Sequence, residues 1–347
     1  MNSLINSSGS ASASQNRSAP FTAADLPIDE EGRIYHLQVK PDQLARDILI
    51  VGDPGRAEMI GSTFLHEIEV KHEHRGLVTV TGTSEISGEQ ATIISPARTT
   101  VTTSGMGTPS LEIIIQELVA LNEIDFESRM PKSDFPKLQI IRVGTSGGLQ
   151  ASTRLGTAII TSYSIGTDNT GLFYEVPYPD EHCRRLENEI HQLVKNRMKT
   201  DSRFYGKIHP YVTRAEPNIV SALAEAAAAL GITSKVGLTV SCSGFFAPQG
   251  RNIARIKPSV PDLDQVFAEY DPGVNGQKVE NMEMESSFLN HFLGGLGYWS
   301  GAICTAIANR RENTFDTQYQ ESVKNSIKVA LLALSIARER SREESEK

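Results

Sequence analysis

Four arginines, Arg56, Arg142, Arg251 and Arg310, each follow a strand-like run and stand beside glycines or other small residues. The two clearest settings are Ile48 to Val51 running into Gly52-Asp53-Pro54-Gly55-Arg56, and Leu138 to Ile141 running into Arg142-Val143-Gly144-Thr145-Ser146-Gly147-Gly148. Backbone N–H groups freed by glycine, together with a guanidinium, make a site for a small oxyanion. A phosphate or a carboxylate is the expected guest. A single arginine is mostly a surface residue, but four at corresponding positions point to one shared site. No Ser-His-Asp or Cys-His arrangement is visible, so no protein nucleophile is expected.

The elements that must position these residues alternate between strand and helix. Val101 to Gly107 reads as a strand end turning through glycines into Thr108-Pro109, a cap followed by proline at a helix start. Leu111, Ile114, Ile115, Leu118 and Val119 then share one helical face. Gly156 to Thr161, Val236 to Ser241 and Tyr298 to Ala308 read as strands. Asn218 to Leu230 and Met282 to Leu293 read as helices, and Leu186, Ile190, Leu193 and Val194 mark another. A last helix carries Ile327, Leu331, Leu334 and Ile336 and is expected to dissolve into a charged tail over 338–347. Asp125 to Lys137 and His182 to Lys207 break the rhythm and are expected as surface excursions. The fold class is α/β, a single domain over 26–337 with a central mixed β-sheet flanked by helices, and ligands in such sheets bind beyond the carboxyl ends of strands.

The chain of 347 residues has a net charge of −8, which argues against nucleic acid or an acidic membrane as partner. Local arginines must hold any phosphate, because the global field repels it. Three scattered cysteines, Cys183, Cys242 and Cys304, give neither a disulfide framework nor a zinc knuckle. Free thiols and a cytoplasmic location are expected. No apolar run reaches the length of a membrane span. Residues 1–25, rich in Ser, Ala and Asn, read as a disordered tail. An organelle presequence is the competing reading there, since Arg17 precedes the first acid, Asp25.

Four motifs in order, Gly52-Asp53-Pro54-Gly55-Arg56, Thr103 to Gly107, Arg142 to Gly147 and Asn281-Met282-Glu283-Met284-Glu285-Ser286, resemble the nucleoside phosphorylase family over about His36 to Glu312. Gly244-Phe245-Phe246-Ala247-Pro248-Gln249-Gly250-Arg251 is similar to the segment by which its uridine-specific branch reads the uracil ring. The chemistry fits independently, because a Gln amide complements the carbonyl and N3–H of uracil. Arg251 can donate where charge gathers as the base leaves. An ordinary Pro-Gln-Gly turn with an exposed arginine is the alternative.

The resemblance implies phosphorolysis of uridine to uracil and ribose 1-phosphate, with inorganic phosphate as co-substrate and with no cofactor and no metal. It implies that Gly52, Arg56, Arg142 and Thr145 hold phosphate, joined by Arg75 from a neighbouring subunit in a homodimer or a ring of dimers. Glu285 would grip the ribose hydroxyls, with Met284 packing on the sugar, Glu283 close by and Phe245 stacking near ribose and base. On the residues alone, a helix-start charge pair explains Glu283 and Glu285 equally well. His36 would reach a neighbour's ribose 5′-hydroxyl, and Arg310 would support the base end beside the catalytic Arg251 and Gln249. Three departures stand out: Gly76 follows Arg75 where some relatives have a cation-binding glutamate, Cys242-Ser243 is an unusual lead-in to the phenylalanines, and Asn309 replaces the aspartate of purine-specific members.

Overall fold

A computed structural model describes residues 19–85 and 96–345. Strand β1 (Asp47–Val51) leads into helix α1 (Pro54–Phe64), then a hairpin of β2 (Leu65–His74) and β3 (Leu77–Ser84), then β4 (Ala97–Thr103). Helix α2 (Thr108–Glu123), the short pair β5 (Ile124–Asp125) and β6 (Met130–Pro131), and strands β7 (Gln139–Gly148) and β8 (Ala158–Gly166) follow. The second half holds α3 (Glu181–Arg197), β9 (Tyr211–Arg214), α4 (Pro217–Ala229), β10 (Ser234–Ser241), α5 (Leu263–Glu269) and β11 (Val279–Glu283). It ends with α6 (Ser286–Gly295), β12 (Trp299–Asn309), β13 (Thr314–Phe315) and α7 (Gln320–Ser345).

The main sheet runs β13-β12-β8-β10-β11-β7-β1-β4-β3-β2, with β9 on β8. Because β12 also pairs with β7, five strands close on themselves, β1, β4, β3 and β2 extend from β7 as an open wing, and β13 and β9 flank β12 and β8. Register shifts in the β10–β8, β10–β11 and β12–β7 pairs supply the local twist that closure requires. Strands β1, β4 and β12 run parallel to their neighbours around β7, whereas β11 runs antiparallel to it. The sheet is mixed, as expected, and the site cannot lie beyond one common set of strand ends.

Helices cover the sheet because each has one apolar stripe to bury. Ile60, Leu223, Ile327 and Leu334 from α1, α4 and α7 enclose one core with Ile141 and Val143. Leu111, Ile115, Phe288 and Leu289 from α2 and α6 build a second on Ile48, Ile50 and Ile140. A third core joins Cys183, Leu186, Ile190 and Val194 of α3 to Leu238, Val240 and Phe267. The segment from 182 is therefore no loose excursion over its first part, since α3 buries a full stripe.

Three other expectations need correction. The run from Met282 is not helical at its start: Met282 and Glu283 finish β11, and α6 begins only at Ser286. The charged end does not dissolve, because α7 continues to Ser345, with Arg338 3.5 Å from Asp47 and Arg340 2.6 Å from Glu225. The first 18 residues of the expected tail lie outside the described residues. Its last part is fastened, with Phe21 N donating to Arg129 O at 2.9 Å and Leu26 N to Thr22 O at 3.1 Å. Among the described residues no helix is long and apolar enough to cross a membrane.

Asp47 opens β1 in a buried position where, among the described residues, Oδ1 has no hydrogen-bond partner. Burial raises its pKa to about 6 against the pull of Arg338 and Arg46. A carboxyl held above its unfolded value favours the native state when protonated, so its stabilising contribution is lost as pH rises through about 6. We expect Asp47→Asn to gain on the wild type as pH rises, by about 1 kcal/mol between pH 5 and pH 8, on the scale of 1.36 kcal/mol per pKa unit. Chemical unfolding of both proteins at the two pH values checks this; a pH-independent difference would refute it.

Candidate active site

The first glycine loop closes over the start of α1. Asp53 caps the helix by accepting from Gly55 N at 3.1 Å, and Pro54 supplies a preset φ at the first helical position. Gly52 meets the Ser104-Gly105 turn so closely that a Cβ there would sit 3.2 Å from Gly105 O. Arg56 rises from this first turn and, among the described residues, its guanidinium donates only to Val143 O, at 3.3 Å. Burial and the neighbouring Arg142 charge both lower its pKa. An anion would relieve both.

The second glycine segment is not a loop. Its β-branched residues Val143 and Thr145 continue β7 to Gly148, paired with β12 along the whole length. Arg142 is therefore a mid-strand residue, only 4% exposed. Gly144 makes room for it, since a Cβ would overlap Arg142 Nη1 and lie 3.0 Å from Cys304 Sγ. Here glycine creates space for a guanidinium and does not free an N–H.

Two carboxylates hold that guanidinium. Nη2 bonds Glu285 Oε2, and Nη1 lies 3.3 Å from Glu283 Oε2 and 3.5 Å from Cys304 Sγ, while the buried Nε has no partner among the described residues. Burial opposes the Arg142 cation, yet Glu285 and Glu283 outweigh it and its pKa is raised. Glu285 is pushed up as well, by burial and by the Glu283 charge, against the pull of Arg142 and the Gly107 N–H. Its Oε1 accepts from Gly107 N at 2.7 Å, which ties the glycine turn before α2 to the cluster.

Glu283 has a different task. It accepts from Ser241 Oγ, from Ser286 Oγ at 2.9 Å and from the backbone N of Glu285 and Ser286 at 2.9 and 3.0 Å. It thus satisfies the free N–H groups at the start of α6, and the helix-start role belongs to Glu283 while Glu285 turns to Arg142. Thr145 and Met284 are half-buried close by in the chain, and the Met284 methyl would touch a Cβ on Gly107 at 3.5 Å.

The other end is built after β10. Arg251 lies over the Phe245 ring with 3.9 Å to its centroid, and its Nη1 donates to Phe245 O and to Gln249 Oε1, each at 2.6 Å. Phe245 is 52% exposed, Gln249 only 3%. Arg310 donates to Gln249 O at 3.2 Å and pairs with Asp264 at 3.1 Å. Burial and the Arg310 charge lower the Arg251 pKa. A Cβ on Gly147 would lie 3.8 Å from Arg251, so the far part of β7 passes directly beneath this group. One strand thus carries Arg142 and, five residues on, the floor of the Phe245–Arg251 end.

His36 and Arg75 belong to a separate surface. Arg75 and Gly76 form the two-residue turn of the β2–β3 hairpin, both with positive φ (55° and 76°), the geometry that favours glycine. Arg75 Nη1 meets Tyr35 Oη at 3.3 Å, and Tyr35 packs edge-on against His36 and His74. Glu117 fixes His36 through Nδ1 at 2.7 Å and through the N–H of His36 and Leu37. Among the described residues neither side chain bonds the Arg142 cluster.

Ser241, Cys304 and Asp264 join the site without any signal in the sequence, for each is a single small or polar residue outside the recognised motifs, whereas Gly107 closes the motif that begins at Thr103. Asn309 is committed elsewhere: Nδ2 donates to Gln150 O and Thr153 O, and Oδ1 accepts from the N–H of Arg311 and Glu312.

The phosphorylase superfamily pattern matches residues 46–335. The chain belongs to the phosphorylase superfamily. A Thermococcus kodakarensis uridine phosphorylase is 28% identical over 301 residues, 85% of this chain and 84% of that protein. A DeoD-type purine nucleoside phosphorylase of Roseobacter denitrificans is 26% identical over 259 residues, 74% of this chain and 81% of that one. A solved Trypanosoma brucei nucleoside phosphorylase, described as showing uridine phosphorylase activity, superposes with a TM-score of 0.78 at 30% identity, covering 89% of this chain and 99% of that one. Membership of the superfamily makes this a nucleoside phosphorylase-type enzyme.

Removing one partner from a buried charge cluster costs about 3–5 kcal/mol. Glu283→Ala, which strips Arg142 of one counter-charge and α6 of its acceptor, should lose that much in urea unfolding. A loss below about 1 kcal/mol would mean the cluster carries no such weight.

Proposed function

We propose that this protein is a uridine phosphorylase, converting uridine and phosphate reversibly into uracil and ribose 1-phosphate. The observation that carries the reading is the pair of arginine groups joined by β7: Arg56 and Arg142 at one end, Gln249, Arg251 and Arg310 at the other. Phosphate would lie against Gly52, Arg56, Arg142 and Thr145, where Arg56 lacks a carboxylate partner among the described residues. A guanidinium forks onto phosphate oxygens and holds them in line for attack on the anomeric carbon. Glu285 would accept from the ribose hydroxyls, with Met284 on the sugar face.

As the glycosidic bond breaks, its electron pair moves onto the base. Arg251, supported by Arg310, would meet that charge at a uracil oxygen, and Gln249 would pair with the remaining edge. Cytosine sets its amino donor against the arginine donor. A buried mismatch of that kind rejects an analogue by roughly 10⁴-fold or more. Asn309 gives no proton donor for a purine ring nitrogen, because its amide is spent on four backbone partners. Purified protein given uridine should release uracil only when phosphate is added, and inosine should react far more slowly. Uracil release at the same rate without phosphate would make it a hydrolase; inosine turnover matching uridine would end the pyrimidine assignment.

We further propose a homodimer or a ring of dimers in which Arg75 and His36 complete the partner's site. The support is their shared patch around Tyr35, with no bond among the described residues to their own chain's arginine cluster. A twofold interface is self-complementary and supplies both sites at once. Arg75→Ala and Arg56→Ala proteins should each be nearly inactive, and subunit exchange between them should restore up to about a quarter of wild-type activity per subunit mixture, since a mixed dimer pairs both arginines in one site. Confirmed exchange without recovery would place Arg75 outside the partner's site.

A further inference from the structure

The Phe245–Arg251 end contains a charge problem that its own residues do not solve. The Arg310 charge disfavours the Arg251 cation, and the turn that carries Gln249 has only one short helical turn, Ala247–Gln249, to hold it. Asp264, the second residue of α5, pairs with Arg310. Its Oδ2 lies 3.1 Å from Arg310 Nη2, with the carboxylate 13% exposed. Arg310 in turn bonds the Gln249 carbonyl at 3.2 Å.

The backbone closes the same circuit from the other side. Gly250, at φ +74°, approaches Asp264 so tightly that a Cβ would overlap Oδ1 and sit 3.2 Å from the Asp264 N. The turn is pressed between α5 and Arg310. A cavity of about 220 Å³, lined by Leu149, Asp264, Gln265, Ala268, Arg310 and Arg311, opens beside the Arg310 guanidinium. Arg310 therefore has room to swing away, and the Asp264 carboxylate is what keeps it on Gln249. The next arginine is bound elsewhere, with Arg311 3.3 Å from Glu269.

We propose that Asp264 is a positioning residue for base recognition, holding Arg310 and the Gln249 turn so that the Arg251–Arg310 pair stays aimed at the departing base. This rests on the uridine reading given above. Asp264 touches neither phosphate nor sugar in that arrangement, so its loss acts on one half of the reaction only. A displacement of about 1 Å in a positioning group can cost on the order of 100-fold in rate.

The test compares wild type with Asp264→Asn, Asp264→Ala and Asp264→Glu, using uridine and 5-fluorouridine at varied phosphate. Fluorouracil leaves as a better-stabilised anion and needs less help from the arginines. Asp264→Ala should lower kcat/KM for uridine by about 10–100-fold, lower it less for 5-fluorouridine, and leave KM for phosphate within about twofold. Asp264→Asn should fall between, keeping an acceptor without the charge, and Asp264→Glu should recover part of the loss. Should the alanine variant fail to fold, the near-isosteric asparagine variant decides by the same uridine-to-fluorouridine comparison. Equal losses on both nucleosides, a matching rise in KM for phosphate, or unchanged kinetics would overturn the proposal while leaving the uridine reading intact. Wild-type protein that releases no uracil from uridine and phosphate would overturn both.

Discussion

One cation buried in the middle of a strand sets the terms for everything around it. Taking Arg142 and two carboxylates out of water costs several kcal/mol per ion before any attraction is counted. That cost is offset only if every remaining donor and acceptor finds a partner. Glu283 draws in Ser241 from β10 and the start of α6, while Glu285 draws in the Gly107 turn that begins α2. Five elements thus share one polar knot, and a shift in any of them strands a charge. Among the described residues, the unpartnered Arg142 Nε and an Arg56 that lacks a carboxylate partner are the exceptions that leave the knot receptive to an anion.

Closure of five strands on themselves gives this knot its geometry. An open sheet would leave β11 and β12 far apart, but pairing both with β7 brings Glu283 to one edge of that strand and Cys304 to the other. The same strand passes from the arginine-carboxylate cluster to the floor beneath Arg251 in five residues, about 17 Å at the usual rise of 3.4 Å per residue. That span suits a ligand with two chemically different ends. The wing of β1, β4, β3 and β2 carries the third group, Arg75, outward at the turn of its hairpin, away from the knot and towards whatever packs there.

Much of the architecture was legible because periodicity survives in long elements. The apolar face of α2 and the alanine-rich α4 follow directly from spacing, and β1 and β12 from continuous buried runs. Boundaries failed where charge or glycine misled. Arg142 to Gly148 looks like a loop by composition, yet strand pairing on both sides overrides four small residues and a guanidinium. Met282 and Glu283 sit in a short strand that helical spacing cannot separate from α6. In α3 the spacing of Leu186, Ile190, Leu193 and Val194 marks the helix, but its twelve polar positions make the segment look like a surface excursion, and α7 keeps its pitch past Arg338 because Asp47 and Glu225 neutralise the charges that composition counts as solvent-facing. The site was legible residue by residue only through ordered motifs; partners such as Ser241, Cys304 and Asp264 carry no motif, since their importance comes from what folds against them.

The distance along the chain between Arg142 and its counter-charges has a kinetic meaning. Glu285 follows Arg142 by 143 residues, which a ribosome adds over about 7–30 s at 5–20 residues per second. Throughout that interval β7 has β1 beside it but neither β11 nor β12, and its central guanidinium has no carboxylate. The wing of the sheet is built from near neighbours in sequence, while the closed half must wait for its last strands, so the slow long-range pairing falls at the end of folding. A nascent chain of this protein therefore carries the β7 guanidinium without its counter-charges throughout that interval, and that strand is the one around which the finished site is assembled.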